Sequence, residues 1–73
     1  MKRIFKMQDL DCANCAAKME RRIAKIEGVR SVTVNFLAQK LILEADDEKW
    51  NEILAEVDSA VRKVDPDCRV ILQ

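Results

Sequence analysis

Val29-Arg30-Ser31-Val32-Thr33-Val34-Asn35-Phe36-Leu37-Ala38-Gln39-Lys40-Leu41-Ile42-Leu43-Glu44-Ala45 decides the fold. Its first half alternates, with Val32, Val34 and Phe36 predicted to point inward, and from Gln39 to Ala45 it alternates again around Leu41 and Leu43. A period of two belongs to a strand with one wet face. The two runs lie too close in the chain for a crossover helix, so they are expected to form an antiparallel hairpin turning near Leu37-Ala38-Gln39.

Working outward, Lys2 to Gln8 alternates with Phe5 and Met7 on one face and Lys6 and Gln8 on the other, a first strand ending at Asp9. From about Asn14 to Glu27, Ala16, Met19, Ile23 and Ile26 recur at helical spacing, and Lys18, Glu20, Arg21, Arg22 and Lys25 cover the remaining surface. Gly28 is expected to end this helix. Beyond the hairpin, Asp46 reads as the N-cap of a second helix, with Asp47 and Glu48 in its first turn and Trp50, Ile53, Leu54, Val57, Val61 and Val64 as its buried stripe. Asp65-Pro66-Asp67 breaks that helix, and Cys68 to Leu72 is a last strand with Cys68, Val70 and Leu72 on one side. The order βαββαβ predicts an α+β, ferredoxin-like sandwich: a four-stranded antiparallel sheet with two helices on one face.

The 73 residues are expected to be a single domain, 1–73, large enough to hold an ordered core. Thirteen basic and thirteen acidic side chains cancel, so no global field draws in nucleic acid or an anionic membrane. Three cysteines do not make a disulfide framework, and no stretch has the pattern of a signal peptide, which fits a reducing, cytoplasmic setting. The longest apolar run is too short to cross a bilayer.

Chemistry concentrates in Leu10-Asp11-Cys12-Ala13-Asn14-Cys15, where the first strand gives way to the first helix. Unpaired N–H groups and the macrodipole at a helix N-terminus favour thiolate, and thiolates bind soft or borderline cations. A spacing of three lets both sulfurs reach one ion from a single loop. Two cysteines, one carboxylate and no histidine make an incomplete shell at the rim of the domain, suited to transfer by stepwise ligand exchange rather than to a closed structural zinc site.

Asp11 bears on which ion is taken. Copper(I) is satisfied by two thiolates, whereas zinc(II), cadmium(II) and lead(II) accept a mixed set of sulfur and oxygen donors. Two thiolates and a carboxylate also leave a divalent ion in a site of net charge −1, against −2 for a monovalent one. Asp11 has an alternative role as N-cap of the first helix. Cys68, Met7, Met19 and Trp50 fall on the inward faces and are expected to be core. Lys18, Arg21, Arg22 and Lys25 form a basic surface beside the loop, either a solvated face or a dock for an acidic patch on a partner.

The run Leu10 to Ala16 resembles the metal-binding loop of the heavy-metal-associated domains, found as free metallochaperones and as N-terminal modules of metal-transporting P-type ATPases. Gly28-Val29, the strand Val32-Thr33-Val34-Asn35 and the final strand extend the resemblance over the whole chain. Copper-handling members usually have Met two residues before the first cysteine and Thr directly before it; this chain has Leu10 and Asp11. The Asp-Cys-X-X-Cys form resembles the modules of zinc-, cadmium- and lead-exporting ATPases, and that resemblance implies Asp11, Cys12 and Cys15 as metal ligands. Val64-Asp65-Pro66-Asp67 stands where copper chaperones commonly carry a lysine. The implied role is a cytoplasmic domain, tethered at the membrane by pump sequence, whose partners are the metal ion and the pump's own domains or a metallochaperone. A free-standing copper(I) or zinc metallochaperone is the alternative.

Two further classes compete. A dithiol redox protein of thioredoxin type needs a longer chain and a cis-proline facing the disulfide, whereas the only proline is Pro66. RNA recognition on this fold needs exposed aromatics on the middle strands, which offer only Phe36. No ATP-binding or phosphorylation motif is present, so the chain is not itself the pump and is expected to be a metal-binding domain rather than an enzyme.

Overall fold

The computed structural model describes residues 1–72. The expected last residue of the domain, Gln73, lies outside the described residues. The order is β1 (Lys2–Gln8), α1 (Ala13–Ala24), β2 (Val29–Asn35), β3 (Lys40–Ala45), a 3-10 turn (Asp47–Lys49), α2 (Trp50–Val64) and β4 (Arg69–Ile71). The strands form one antiparallel sheet in the order β2-β3-β1-β4. This is the expected sandwich, with β1 in the interior of the sheet, so that the loop leaving its C-terminal end starts from a strand paired on both sides.

The period-two positions meet the helices in one core. Phe5 and Met7 of β1, Val34 of β2, Leu41, Leu43 and Ala45 of β3 and Val70 of β4 are buried with Ala16, Met19 and Ile23 of α1 and Trp50, Ile53, Val57, Ala60 and Val61 of α2. Trp50 stacks on Phe5 with ring centroids 6.3 Å apart, closing the end of the core remote from the loop. Phe36 packs against the core from the hairpin turn, as does Val32 from β2. The stripe of α2 includes Ala60, absent from the predicted set, while Leu54 and Val64 are only half-buried.

Several expectations require correction. Helix α1 stops at Ala24 rather than near Glu27, because the Lys25 and Ile26 N–H groups donate to carbonyls three residues back, Arg22 at 3.2 Å and Ile23 at 3.0 Å, and tighten the chain out of the helix. Gly28 is therefore not the helix stop. Its φ of +95° swings the chain into β2, and a Cβ there would lie 2.8 Å from Ile53 Cδ1, so glycine serves the close approach of α2. Asp46 does not cap α2. It precedes the 3-10 turn in extended conformation, makes no side-chain capping bond, and pairs with Arg30 Nε at 3.0 Å. Arg30 is the extra residue of a register break in the β2–β3 ladder between Val29 and Ser31. Strand β4 is shorter than predicted, and Leu72 is 37% exposed rather than core.

Candidate metal centre

The loop begins where β1 loses its partner. Asp9 has a φ of 60°, a left-handed conformation that Asp tolerates better than most residues and that turns the chain away from the sheet. Leu10 then drops its side chain into the core, 2% exposed, and anchors the loop from beneath. Asp11 is exposed and makes no hydrogen bond or ion pair among the described residues.

Cys12 caps α1. Its backbone is extended (φ −134°, ψ 118°), its carbonyl accepts the N–H of Ala16 at 3.0 Å, and its Sγ accepts the N–H of Cys15 at 3.2 Å. Sulfur thus takes the place that a serine or aspartate oxygen fills at most helix starts. Capping by Asp11, the alternative reading of that residue, is not what the structure shows. The cap also draws the two thiols together, because the residue whose N–H the Cys12 sulfur accepts is Cys15. No carboxylate lies in the first turn of α1 to compete for the helix N-terminus.

The electrostatics of the two thiols diverge. Cys12 is held below the ordinary thiol value of 9.0, first by the hydrogen bond from the Cys15 thiol and next by backbone donation from Cys15. Cys15 is raised, first because its thiol is the donor to Cys12 and next by burial; Asp65, at the junction between α2 and β4, adds to the rise. Both side chains are half-buried, open to an incoming ion. A thiolate flanked by a thiol that has yet to lose its proton can accept a soft cation stepwise.

Cys68, just before β4, is fully buried among apolar side chains, as expected for core. Burial, followed by the nearby charge of Asp65, pushes its thiol up to about 11. The three expected ligands are not all gathered: among the described residues no three Cys, Asp or Glu side chains converge tightly enough to hold an ion. The structure brings Cys12 and Cys15 together and leaves Asp11 beside them, pointing at no partner. The donor chemistry nonetheless suits a soft cation, with the pair of sulfurs as its fixed part.

Two features went unread in the sequence. One is the capping role of Cys12, although cysteines at the N-cap and third helical positions imitate the spacing of a capping box and were a local signal. The other is a tie between Gln39 and Leu10 across 29 residues, for which no local pattern exists. On α1, the basic side chains Lys18, Arg21, Arg22 and Lys25 line, with Lys63 of α2, a groove of about 770 Å³ between the helices. Glu56 is the acidic residue in its wall. No helix among the described residues is long and apolar enough to cross a membrane.

Comparison with known proteins places this geometry. The heavy-metal-associated domain family matches residues 4–63. The zinc/cadmium/lead-transporting P-type ATPase of Shigella sonnei is 42% identical over 59 residues, 81% of this chain and 8% of that protein. A probable copper-transporting ATPase, PacS of Synechocystis, is 34% identical over 69 residues, 94% of this chain and 9% of that protein. The chain thus spans less than a tenth of the length of these relatives. Among solved structures, the N-terminal domain of a potential copper-translocating P-type ATPase from Bacillus subtilis, in its Cu(I)-loaded state, superposes with a TM-score of 0.75 at 29% identity, covering 94% of this chain and 84% of that one. A matched sandwich, a thiol pair at the mouth of α1 and a family match over most of its length lead to one conclusion: the chain belongs to the heavy-metal-associated domains, as a small metal-binding module and not a catalyst.

Proposed function

We propose that the chain, as one domain over residues 1–73, receives a soft or borderline divalent ion at Cys12, Cys15 and Asp11 and passes it on by ligand exchange. The ion is zinc, cadmium or lead, and the setting is the cytoplasmic N-terminal domain of a heavy-metal-exporting P-type ATPase. The observation that carries this is the pair of half-buried cysteines at the N-terminus of α1, where the Cys15 backbone N–H donates to Cys12 Sγ and Cys12 is held toward its thiolate. Two sulfurs leave a divalent ion short of the four donors it prefers. Asp11, exposed and free of other bonds among the described residues, supplies an oxygen on ion arrival, and the vacant position accepts the next ligand in the chain of transfer.

The name of the Shigella sonnei relative supports the divalent reading. The excess of cations over the one carboxylate, Glu56, in the lining of the interhelical groove supports docking of that face on an acidic surface of the pump or of a metallochaperone. A free-standing or pump-borne copper(I) carrier is the second reading, favoured by the PacS relative and by the Cu(I)-loaded structural neighbour. Competitive titration with zinc, cadmium, lead and copper(I) under reducing, anaerobic conditions separates the two. Asp11→Ala should weaken zinc and lead while sparing copper(I); equal losses for every ion remove the role assigned to Asp11.

A further inference from the structure

Gln39 closes the β2–β3 turn with a φ of 54°, a conformation uncommon for so long a side chain. Its backbone carbonyl accepts the N–H of Met7 at 2.8 Å, and its side chain turns to the chain segment just beyond β1. There the amide Nε2 donates to the carbonyl of Leu10 and, at 2.8 Å, to that of Phe36, while Oε1 accepts the N–H of Leu10 at 3.2 Å. The orientation of the amide is dictated by these partners, since the reverse would set its oxygen against two carbonyl oxygens. The pairing of β1 with β3 runs out at Lys6 and Lys40, the Met7 N–H still donates to the Gln39 carbonyl, and the side-chain amide of Gln39 then supplies a further rung, to both polar groups of the Leu10 backbone.

Leu10 is thereby fixed twice, by its side chain in the core and by its backbone on Gln39, two residues before Cys12. Left-handed backbone on both sides of this contact, at Asp9 and Gln39, persists only where surrounding bonds over-determine it. An ion that meets a loop already in place does not have to order it, so the cost of ordering is absent from the binding free energy.

We propose that Gln39 is the positioning residue of the metal loop: it holds Leu10 so that Cys12 starts α1 at a fixed place and the two thiols stand ready for the ion. This rests on Cys12 and Cys15 being ligands. Gln39 touches neither sulfur and acts through the backbone it holds. Gln39→Asn retains the amide one methylene too short to reach Leu10, and it suits the left-handed backbone better than glutamine does. Gln39→Glu preserves the size but replaces the Nε2 donor with an acceptor facing two carbonyls.

The test compares cadmium(II) affinity, by competition with a chelator, and amide hydrogen exchange at Leu10 for the native chain and its variants. In both Gln39 variants the Leu10 amide should exchange faster and cadmium affinity should fall about tenfold, about 1.4 kcal/mol. Ile53→Val, which loosens the core without touching the loop, should lower the thermal midpoint and leave affinity unchanged. Native affinity in the Gln39 variants that fold overturns the proposal, as does an equal loss of affinity in Ile53→Val, which would make the effect one of general stability. Cys12→Ser with Cys15→Ser tests the underlying reading separately. If that double variant binds cadmium like the native chain, the ligand assignment falls whatever Gln39 does.

Discussion

The chain carries the same side chain in two environments, and the contrast separates an accessible pair of thiols from one sealed in the core. Cys12 and Cys15 stand at the open N-terminus of α1, half-buried, with the Cys15 backbone N–H donating to Cys12 Sγ, and Cys12 is drawn toward its thiolate. Cys68 lies fully inside the core next to β4, with its thiol pushed up to about 11 by burial and by the negative charge of Asp65. A cysteine becomes a candidate ligand where backbone N–H groups and a second thiol stabilise its anion; away from both it packs as a small hydrophobe.

The sharpest way to break this contrast is to exchange the two classes. Cys12→Ser with Cys15→Ser should abolish tight cadmium or zinc binding, a loss of several orders of magnitude by chelator competition, while circular dichroism keeps the native spectrum. Cys68→Ala should bind like the native chain. If Cys68→Ala loses affinity as the double variant does, the division between reactive and core thiols is wrong.

A lesion on the core side alone comes next in size. At Gly28, alanine would have to hold a left-handed φ of +95° and push aside Ile53 Cδ1. Gly28→Ala should therefore cost about 1–3 kcal/mol of stability by denaturant unfolding. Metal affinity of the folded protein should be unchanged, because Gly28 lies at the opposite end of α1 from the thiols.

The raised thiol of Cys68 gives a pH signature of comparable size. The folded state keeps this thiol protonated to about pH 11, whereas an unfolded chain ionises it near 9.0. Below pH 9 both states hold the proton and the stability is fully present. Between about pH 9 and 11 the unfolded state alone gains by ionising, so up to about 2 kcal/mol is lost. Unfolding free energies at pH 8 and pH 10.5 should show this loss in the native chain and a smaller one in Cys68→Ala.

The finest distinction lies within the loop. Asp11→Asn preserves the shape and removes the charge, and it should weaken zinc about tenfold while leaving copper(I) within about twofold, on the scale seen when a group supporting a metal site is removed. Isothermal titration with each ion under reducing conditions measures both.

What could be read from the sequence and what could not divide along physical lines. Strands β1, β2 and β3 and the stripes of both helices follow from periodicity, because burial of Phe5, Met7, Leu41, Met19 and Val57 depends only on which face each residue occupies. The thiol pair was visible for the same reason: three residues of spacing at a strand-to-helix junction is local information. The stop of α1 at Ala24 depends on which carbonyls the N–H groups of Lys25 and Ile26 select. The loss of Asp46 as a cap depends on Arg30 reaching it from a bulge. Gln39 meets Leu10 only because β3 lies beside β1. The last two contacts are tertiary, and no pattern within a few residues encodes them; the first is a local choice between neighbouring carbonyls that helical periodicity does not make. Asp11 is the intermediate case, readable as a neighbour of Cys12 but with a role that an ion must complete.

X-ray absorption of the domain loaded with one equivalent of zinc measures the central claim most directly. The account predicts two sulfur donors at about 2.3 Å, from Cys12 and Cys15, with oxygen donors at about 2.0–2.2 Å completing the shell. A shell without sulfur, or one whose two sulfur donors survive unchanged in the Cys12→Ser, Cys15→Ser variant, would contradict it.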